Sequence, residues 1–430
     1  MERDGYELVE IRKPINVDEA VRRVMKYKKN GQIEVVSFHE CDNRFLAEPI
    51  IATDHVPSFN KSPYDGFAFR SEDTVNASVD NPVILNVIDH IGAGEVTTKT
   101  IQTGEAIRIM TGAKIPEGAD CVEMLEKCTS FEQEGSSYIS IDHPMESEQN
   151  IIKEGSEVKK GTVLIEPGTK INPGIKALLA TFGYAKVKVA KKPMIGVIAT
   201  GTELLEVDEK LKPGKIRNSN AYTICSQIIR AGADYKYVGK LDDELEPSYE
   251  MIKDTLKEVD ILITTGGVSV GDFDLMPEIY NKLGAKVLFN KVRMRPGSVT
   301  TVAVLGDKLL FGLSGNPSAC YVGFELFTRP IIHNLLFSKK PFLKRIKATM
   351  ADDLSKANPF TRFVRSYITY KNGKVYVKLA GIDKSNIVTS LAFTNTLTIL
   401  PGGTSGYMKG EEVEVLLLEH SEGQTTFSSN

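Results

Sequence analysis

Met194-Ile195-Gly196-Val197-Ile198-Ala199-Thr200-Gly201-Thr202-Glu203 begins the most regularly patterned part of this 430-residue chain. A compact apolar run followed at once by Thr-Gly-Thr reads as a buried strand ending in a tight turn. Asn220 can then cap a helix whose apolar residues Ala221, Ile224, Cys225, Ile228 and Ile229 recur at helical spacing, with Gly232 ending it. A second helix spans roughly Pro247 to Val259, with Ile252, Leu256 and Val259 on one face. Ile261-Leu262-Ile263 is another buried strand, running into Thr264-Thr265-Gly266-Gly267, and a third helix follows near Pro277 to Lys282. Strands alternating with helices predict a mainly parallel sheet covered on both faces, an α/β domain.

The flanks differ. Val17, Ala20, Val21 and Val24 share one helical face, and Ile33, Val35 and Val36 mark a short extended piece. From about 57 to 148, runs such as Val83-Ile84-Leu85 and Ile107-Arg108-Ile109 alternate with Gly, Pro, Asp and Thr. That predicts a β-rich region, with a surface loop over Glu132 to Ser137. Beyond about 345, Phe363 to Tyr370 and Val375 to Leu379 flank Lys371-Asn372-Gly373 as a hairpin, and Val413 to Leu418 is a later strand. The polar tail from Ser421 to Asn430 is expected to be disordered.

Composition excludes several classes. Its 53 basic and 56 acidic residues leave a formal charge of −3, which argues against a nucleic-acid binder working through bulk positive charge. No stretch approaches the roughly 18 consecutive apolar residues of a membrane span. Residues 1–14 lack the apolar core of a signal peptide. Cys41, Cys121, Cys128, Cys225 and Cys320 form no C-x-x-C pair and are odd in number, as expected of reduced thiols in the cytoplasm. The six histidines show no metal-ligand spacing.

Ligands of an open parallel sheet bind outside the carboxyl ends of its strands. Two loops belong there, Thr200 to Glu203 and Gly266 to Asp274. Their glycines read either as an anion cradle of free N–H groups or simply as tight turns. Asp274 and Asp243 can each cap a following helix, or together hold a hard divalent cation beside a phosphate. Asp65-Gly66 is a turn dipeptide. Lys291, Arg293 and Arg295 alternate, so they share one face of a strand, either solvated or turned to an oxyanion. Ser314-Gly315-Asn316-Pro317-Ser318 opens an apolar helix whose first N–H groups would favour an anion.

Five motifs stand in order along the chain. They are Ser62-Pro63-Tyr64-Asp65-Gly66-Phe67-Ala68, Ile109-Met110-Thr111-Gly112-Ala113, Thr200-Gly201-Thr202-Glu203-Leu204, Thr265 to Gly271 with Asp274, and Leu313-Ser314-Gly315-Asn316-Pro317. Together they resemble the MoeA family of molybdopterin molybdenumtransferases, which includes the E domain of gephyrin, over nearly the whole length. The resemblance implies an elongated homodimer of α/β plus β architecture. A linker domain is split into residues 1–56 and 149–190 by a β-rich inserted domain at 57–148. An α/β molybdopterin-binding domain (191–338), a small C-terminal β domain (339–420) and a tail (421–430) follow. The implied reaction takes adenylylated molybdopterin and molybdate to molybdenum cofactor and AMP, with Mg2+ assisting cleavage of the pyrophosphate.

Position by position, the resemblance implies catalytic roles for Asp65, Thr111, Glu203, Asp243 and Asp274, with Asp243 and Asp274 holding the metal. Gly266, Gly267, Ser269, Gly271, Lys291, Arg295, Ser314, Asn316, Pro317, Arg362 and Ser385 are implied to bind substrate. The implied cleft combines the α/β and C-terminal domains of one subunit with the β-rich domain of the other. The upstream adenylyltransferase is a further implied partner; nucleic acid and membrane are not.

This chain departs from the family pattern in places. Arg295-Pro296-Gly297-Ser298-Val299 stands where Lys-Pro-Gly-Lys-Pro is usual, so a lysine is missing at Ser298. Ser314 replaces the usual proline, and Asn60-Lys61 and Pro63-Tyr64 differ from the usual Asp-Asn and Ala-Met. Two other readings remain. The related adenylyltransferase shares the α/β domain but is short and carries Thr-Gly-Gly-Thr-Gly. A scaffold without catalysis would have no need of Asp65, Asp243 and Asp274.

Overall fold

The computed structural model of the chain describes residues 13–241, 244–267, 275–355, 359–418, 423–424 and 427. Of the tail expected to be disordered, Gly423–Gln424 instead pairs antiparallel with Phe342–Leu343, and the Phe427 carbonyl accepts from Arg345 at 3.0 Å; the other tail residues lie outside the described residues. Two compact units emerge, one drawn from Met1–Glu48, Pro167–Lys176 and Lys186–Asn430, the other from Pro49–Glu166 and Ala177–Ala185.

The first unit holds a six-stranded sheet of β1 (Met194–Thr200), β2 (Asp234–Leu241), β3 (Ile261–Thr265), β4 (Lys286–Phe289), β5 (Thr301–Leu305) and β6 (Lys308–Leu313), in the order β2-β1-β3-β6-β5-β4. Its helices are α1 (Asn220–Arg230), α2 (Leu245–Glu258), α3 (Met276–Leu283) and α4 (Pro317–Gly323). β2, β1, β3 and β6 are parallel neighbours. β5 and β4 add on antiparallel, so the sheet is mixed. The reversal is local: Gly306 takes φ 58°, a left-handed value that lets β5 turn straight back into β6.

Alternation sends side chains to two cores. Ile195, Val197, Ala199, Ile261 and Ile263 join the core of α1, with Ala221, Ile224, Cys225 and Ile228. Ile198 and Leu262 face the other way, onto Ile252 and Leu256 of α2 and Ile279 of α3. Each such aliphatic side chain contributes roughly 1.5–3 kcal/mol through burial. The expected cap of α1 is corrected by two residues. Asn220 is already helical, and it is Asn218 whose Oδ1 accepts the Ala221 N–H, at 3.2 Å. An Asn two places earlier does the same work, because the side chain needs only to reach an orphan N–H of the first turn.

The N-terminal helix Val17–Met25 buries Val17, Ala20, Val21 and Val24, the face expected from spacing. Ile33–Ser37 is a strand that pairs antiparallel with the distant Lys186–Ala190.

Toward the C-terminus, strands Arg345–Met350, Thr361–Lys371, Lys374–Leu379, Thr396–Leu400 and Glu412–Leu417 close into a ring. Closure comes from the long Thr361–Lys371 strand, which pairs with Lys374–Leu379 on one edge and Thr396–Leu400 on the other. The barrel core is Ala348, Met350, Val364, Val377, Val413 and Val415. Its hairpin turns at Asn372 and Gly373, with φ 52° and 73°, the residues read from sequence. A short strand, Met294–Arg295, adds in parallel, setting Arg295 against Arg362.

The second unit carries its own mixed six-stranded sheet. Gly66–Phe69 lies between Cys121–Met124 and Glu105–Ile109, and Val83–Ile91, Ser136–Ile141 and Thr129–Gln133 complete it. Phe67, Phe69, Leu85 and Ile139 pack on one face, Ala68, Ile107, Ile109 and Val122 on the other. The stretch Glu132 to Ser137, expected as a loop, is the tip of a hairpin. Only Glu134 and Gly135 turn, both at positive φ, while their neighbours pair as strands.

Candidate functional site

Three parallel strands of the first unit end side by side. Ala199 pairs with Thr265, and Thr265 with Leu313, so the loops after β1, β3 and β6 converge. They are also tied together. Thr200 Oγ1 donates to the Thr265 carbonyl at 3.1 Å, and the Gly266 N–H donates to the Leu313 carbonyl at 2.9 Å. Asn220 Nδ2 of α1 donates to the Gly315 carbonyl at 2.8 Å. Gly266 and Gly267 take φ 94° and 60°. A Cβ on Gly266 would stand 2.7 Å from both the carbonyl oxygen and Oγ1 of Thr200, so only glycine lets these loops approach.

The converging loops wall a cavity of about 850 Å³. Its lining includes Thr200 to Glu203, Arg217 to Asn220, Gly266, Gly267 and Ser314 to Pro317. Of the expected site residues, Glu203, Gly266, Gly267, Ser314, Asn316 and Pro317 meet here. Asp243, Ser269, Gly271 and Asp274 lie outside the described residues.

A second cavity of about 530 Å³ shares Val299, Ser314, Asn316 and Asn386 with the first. Arg295, Ser298, Arg362, Asp383, Lys384 and Ser385 complete most of its wall. Three cations against one carboxylate leave it positive, the sign an oxyanion requires. Arg362 is not a free cation, since its guanidinium donates to the Asp383 carboxylate. Lys291 is not among the lining residues of either cavity. The alternation read from sequence holds, with Val292 and Met294 buried between Lys291, Arg293 and Arg295, but it turns only Arg295 to this cavity.

The expected open N–H groups at the start of α4 are corrected. Pro317 has none, Ser318 N–H donates to the Ser385 carbonyl at 3.1 Å, and Ala319 and Cys320 both donate to the Asn316 carbonyl. The N–H of Asn316 is taken by Ser314 Oγ at 3.3 Å. The turn folds back on itself and onto the 385 loop, and these contacts take up the N–H groups of Asn316 and Ser318.

Sequence reasoning missed the residue that holds the second wall. Arg365 is almost wholly buried and donates to Ser390 Oγ at 2.8 Å, the Lys384 carbonyl at 3.0 Å and the Ile382 carbonyl at 3.1 Å. Its guanidinium also stands 3.7 Å from Asp383. Burial pulls its pKa below the usual arginine value, and Asp383 opposes that. An arginine in the middle of an apolar strand, followed by an Asp-Lys-Ser loop, is the sequence signal that was available.

Asp65 and Thr111 belong to the second unit. Thr111 donates twice to Asp65 Oδ1, from its N–H at 2.7 Å and its hydroxyl at 2.8 Å. The backbone bond first, and then the hydroxyl, hold the Asp65 carboxyl below its ordinary range, so it stays ionised on an exposed edge.

A strand-end cleft next to a cation-lined pocket, in a multidomain chain with its own β-barrel, defines a protein built around an α/β ligand-binding domain. Comparison with known proteins gives the family. Residues 15–183 match the MoeA N-terminal region (domain I and II), 196–334 a probable molybdopterin binding domain, and 347–418 the MoeA C-terminal region (domain IV). The chain is 56% identical over 416 residues to the molybdopterin molybdenumtransferase of Bacillus subtilis (strain 168), covering 97% of each. It is 49% identical over 411 residues to that of Staphylococcus epidermidis (strain ATCC 12228 / FDA PCI 1200), covering 96% of this chain and 97% of the relative. The crystal structure of the molybdopterin biosynthesis MoeA protein from Pyrococcus horikoshii OT3 is 29% identical with a TM-score of 0.79, covering 94% of this chain and 100% of that one. The chain belongs to the MoeA family.

Proposed function

We propose that this chain is a molybdopterin molybdenumtransferase that takes adenylylated molybdopterin and molybdate to molybdenum cofactor and AMP. It is a transferase of molybdenum cofactor synthesis. The observation that carries the finer reading is the pair of adjoining cavities with different chemistry. The larger, at the strand ends, has the size and the mixed apolar and polar wall that suit a pterin nucleotide. The smaller, with Arg295, Arg362 and Lys384, suits a compact oxyanion such as molybdate. Their shared residues Ser314, Asn316 and Asn386 would hold the two reactants side by side, which converts an encounter of two solutes into a positioned one.

Arg295 and Lys384 supply charge to the oxyanion, and Ser298 and Ser385 supply neutral contacts. Arg362 gives directional donors, with its charge partly offset by Asp383. Glu203 stands at the mouth of the strand-end cavity, where a carboxylate can meet a cation carried in with phosphate. The described residues contain no cluster of three or more metal-ligating side chains. Magnesium is typically held by one or two carboxylates together with phosphate oxygens and water. Asp243 and Asp274 are the proposed carboxylates. When bound, the ion would draw charge from the phosphoanhydride as it is cleaved.

The proposal includes a homodimer in which Asp65 and Thr111 of one subunit serve the cleft of the other, with the upstream adenylyltransferase as supplier of substrate. No helix among the described residues is long and apolar enough to cross a membrane. The test is reconstitution. Purified protein, adenylylated molybdopterin and molybdate should activate a molybdenum-free molybdoenzyme, whereas omission of molybdate should not. Equal activation without this protein would contradict the reading.

A further inference from the structure

We propose that Glu206 is a positioning residue that clamps the outer wall of the strand-end cavity and so sets affinity for the adenylylated substrate, an inference that rests on the substrate assignment above. That wall is built from two short segments. Leu204–Leu205 pairs in parallel with Ile216–Arg217, and the chain between them, 206–215, loops away and returns. The pairing is thin. It is reinforced by the Ile216 N–H to Glu203 carbonyl bond at 2.9 Å and the Asn218 N–H to Leu205 carbonyl bond at 2.8 Å. Two residues per strand cannot hold a loop of this length on their own.

The Glu206 side chain supplies the missing constraint. One carboxylate oxygen accepts the Tyr222 hydroxyl of α1 at 2.6 Å, the other the Tyr237 hydroxyl of β2 at 2.8 Å. The loop base is thereby fixed to a helix and to a sheet strand at once. Both tyrosines are donors to an ionised acid, which holds the Glu206 carboxyl below its ordinary range, the Tyr222 bond being the largest cause. The same contact pushes the Tyr222 phenol up to about 12.

The constraint reaches the cavity through Asn218, which lines it and is buried. The single hydroxyl hydrogen of Tyr237 is engaged in donating to Glu206, so its oxygen accepts from Asn218 Nδ2, at 3.0 Å. That orients the amide, leaving Oδ1 for the Ala221 N–H that starts α1. A carboxylate that can only accept therefore sets every hydrogen bond from Glu206 to the cavity wall. Without it, the Tyr237 hydroxyl is free to donate to Asn218 Oδ1, in competition with the helix.

The experiment compares the parent with Glu206→Ala, Glu206→Gln, Tyr237→Phe and the Glu206→Ala/Tyr237→Phe double variant. The KM for adenylylated molybdopterin and the Kd for AMP, measured by calorimetry, should both rise about tenfold in Glu206→Ala, the order expected on losing a charge-assisted contact. The kcat should stay within twofold. Glu206→Gln should recover part of the loss, since its amide oxygen still accepts from one tyrosine. The double variant should be no worse than the worse single one. Hydrogen exchange read out by mass spectrometry should show lost protection over 203–218 in Glu206→Ala and not in Glu206→Gln. KM and Kd within twofold of the parent would overturn the inference, as would equal losses in kcat and affinity. If the parent itself releases no AMP, the substrate assignment fails. Hydrogen exchange then still decides the clamp: lost protection supports it and unchanged protection overturns it.

Discussion

Arg362 donates its guanidinium to the Asp383 carboxylate, and both groups stand on the wall of the smaller cavity. The ion pair directs the arginine while taking part of its charge, so the pocket's field depends on both partners. Arg362→Ala should raise the molybdate concentration for half-maximal transfer by roughly 10- to 150-fold, the loss of about 1.5–3 kcal/mol typical of a charge-assisted contact. Titration of transfer against molybdate checks this, and an unchanged midpoint would remove Arg362 from the pocket's function.

Ser298 stands in the same wall and adds no charge to it. Ser298→Lys should lower the molybdate midpoint, because a fourth cation joins Arg295, Arg362 and Lys384. The gain should shrink as salt is raised, since the pocket is partly open to solvent. Titrations at low and high ionic strength measure both effects.

Gly266→Ala should cost at least about 1–3 kcal/mol, from the left-handed backbone alone. The added overlap with Thr200 comes on top, because the Cβ would meet backbone as well as side chain. Urea unfolding followed by circular dichroism gives the value, with AMP release falling in parallel. A variant of parental stability would contradict the close approach of the loops after β1 and β3.

His143 of the second unit bridges Asp142 and the buried Glu123, at 2.7 Å to each. The Asp142 contact first, and then Glu123, raise its pKa above the ordinary 6.5. A histidine raised on folding stabilises fully below its unfolded pKa and ceases to do so as pH climbs through the folded value. Stability of this unit should therefore decline as pH rises from about 6.5, and His143→Gln should flatten that dependence. Thermal melts across pH 5.5 to 8.5 provide the check.

The parts of the fold legible in sequence were those specified locally. The helix at Val17–Met25 announces its buried face by spacing, and the Asn372-Gly373 turn announces the hairpin around it. Strand ends with glycines pointed to Thr200 to Glu203 and to Gly266-Gly267, which line the larger cavity; the rest of the second loop lies outside the described residues. What stayed hidden depends on partners far along the chain. The 11-residue strand Thr361–Lys371 closes the barrel by pairing on both edges, and Phe363 to Ser366 are buried without alternation. Nothing local therefore marks Arg365 as the anchor of a loop some 17–25 residues on. The open helix end at Asn316 to Ser318 was misread for a similar reason, since the carbonyl that closes it belongs to Ser385.

Nucleotide release reports on molybdenum transfer itself. Purified protein is mixed with adenylylated molybdopterin and magnesium, with and without molybdate, and AMP and protein-bound molybdenum are quantified together. AMP release should depend on molybdate and be matched one for one by molybdenum incorporated into the pterin. AMP release with no molybdenum incorporated, or no release above a protein-free control, would contradict the proposed transfer.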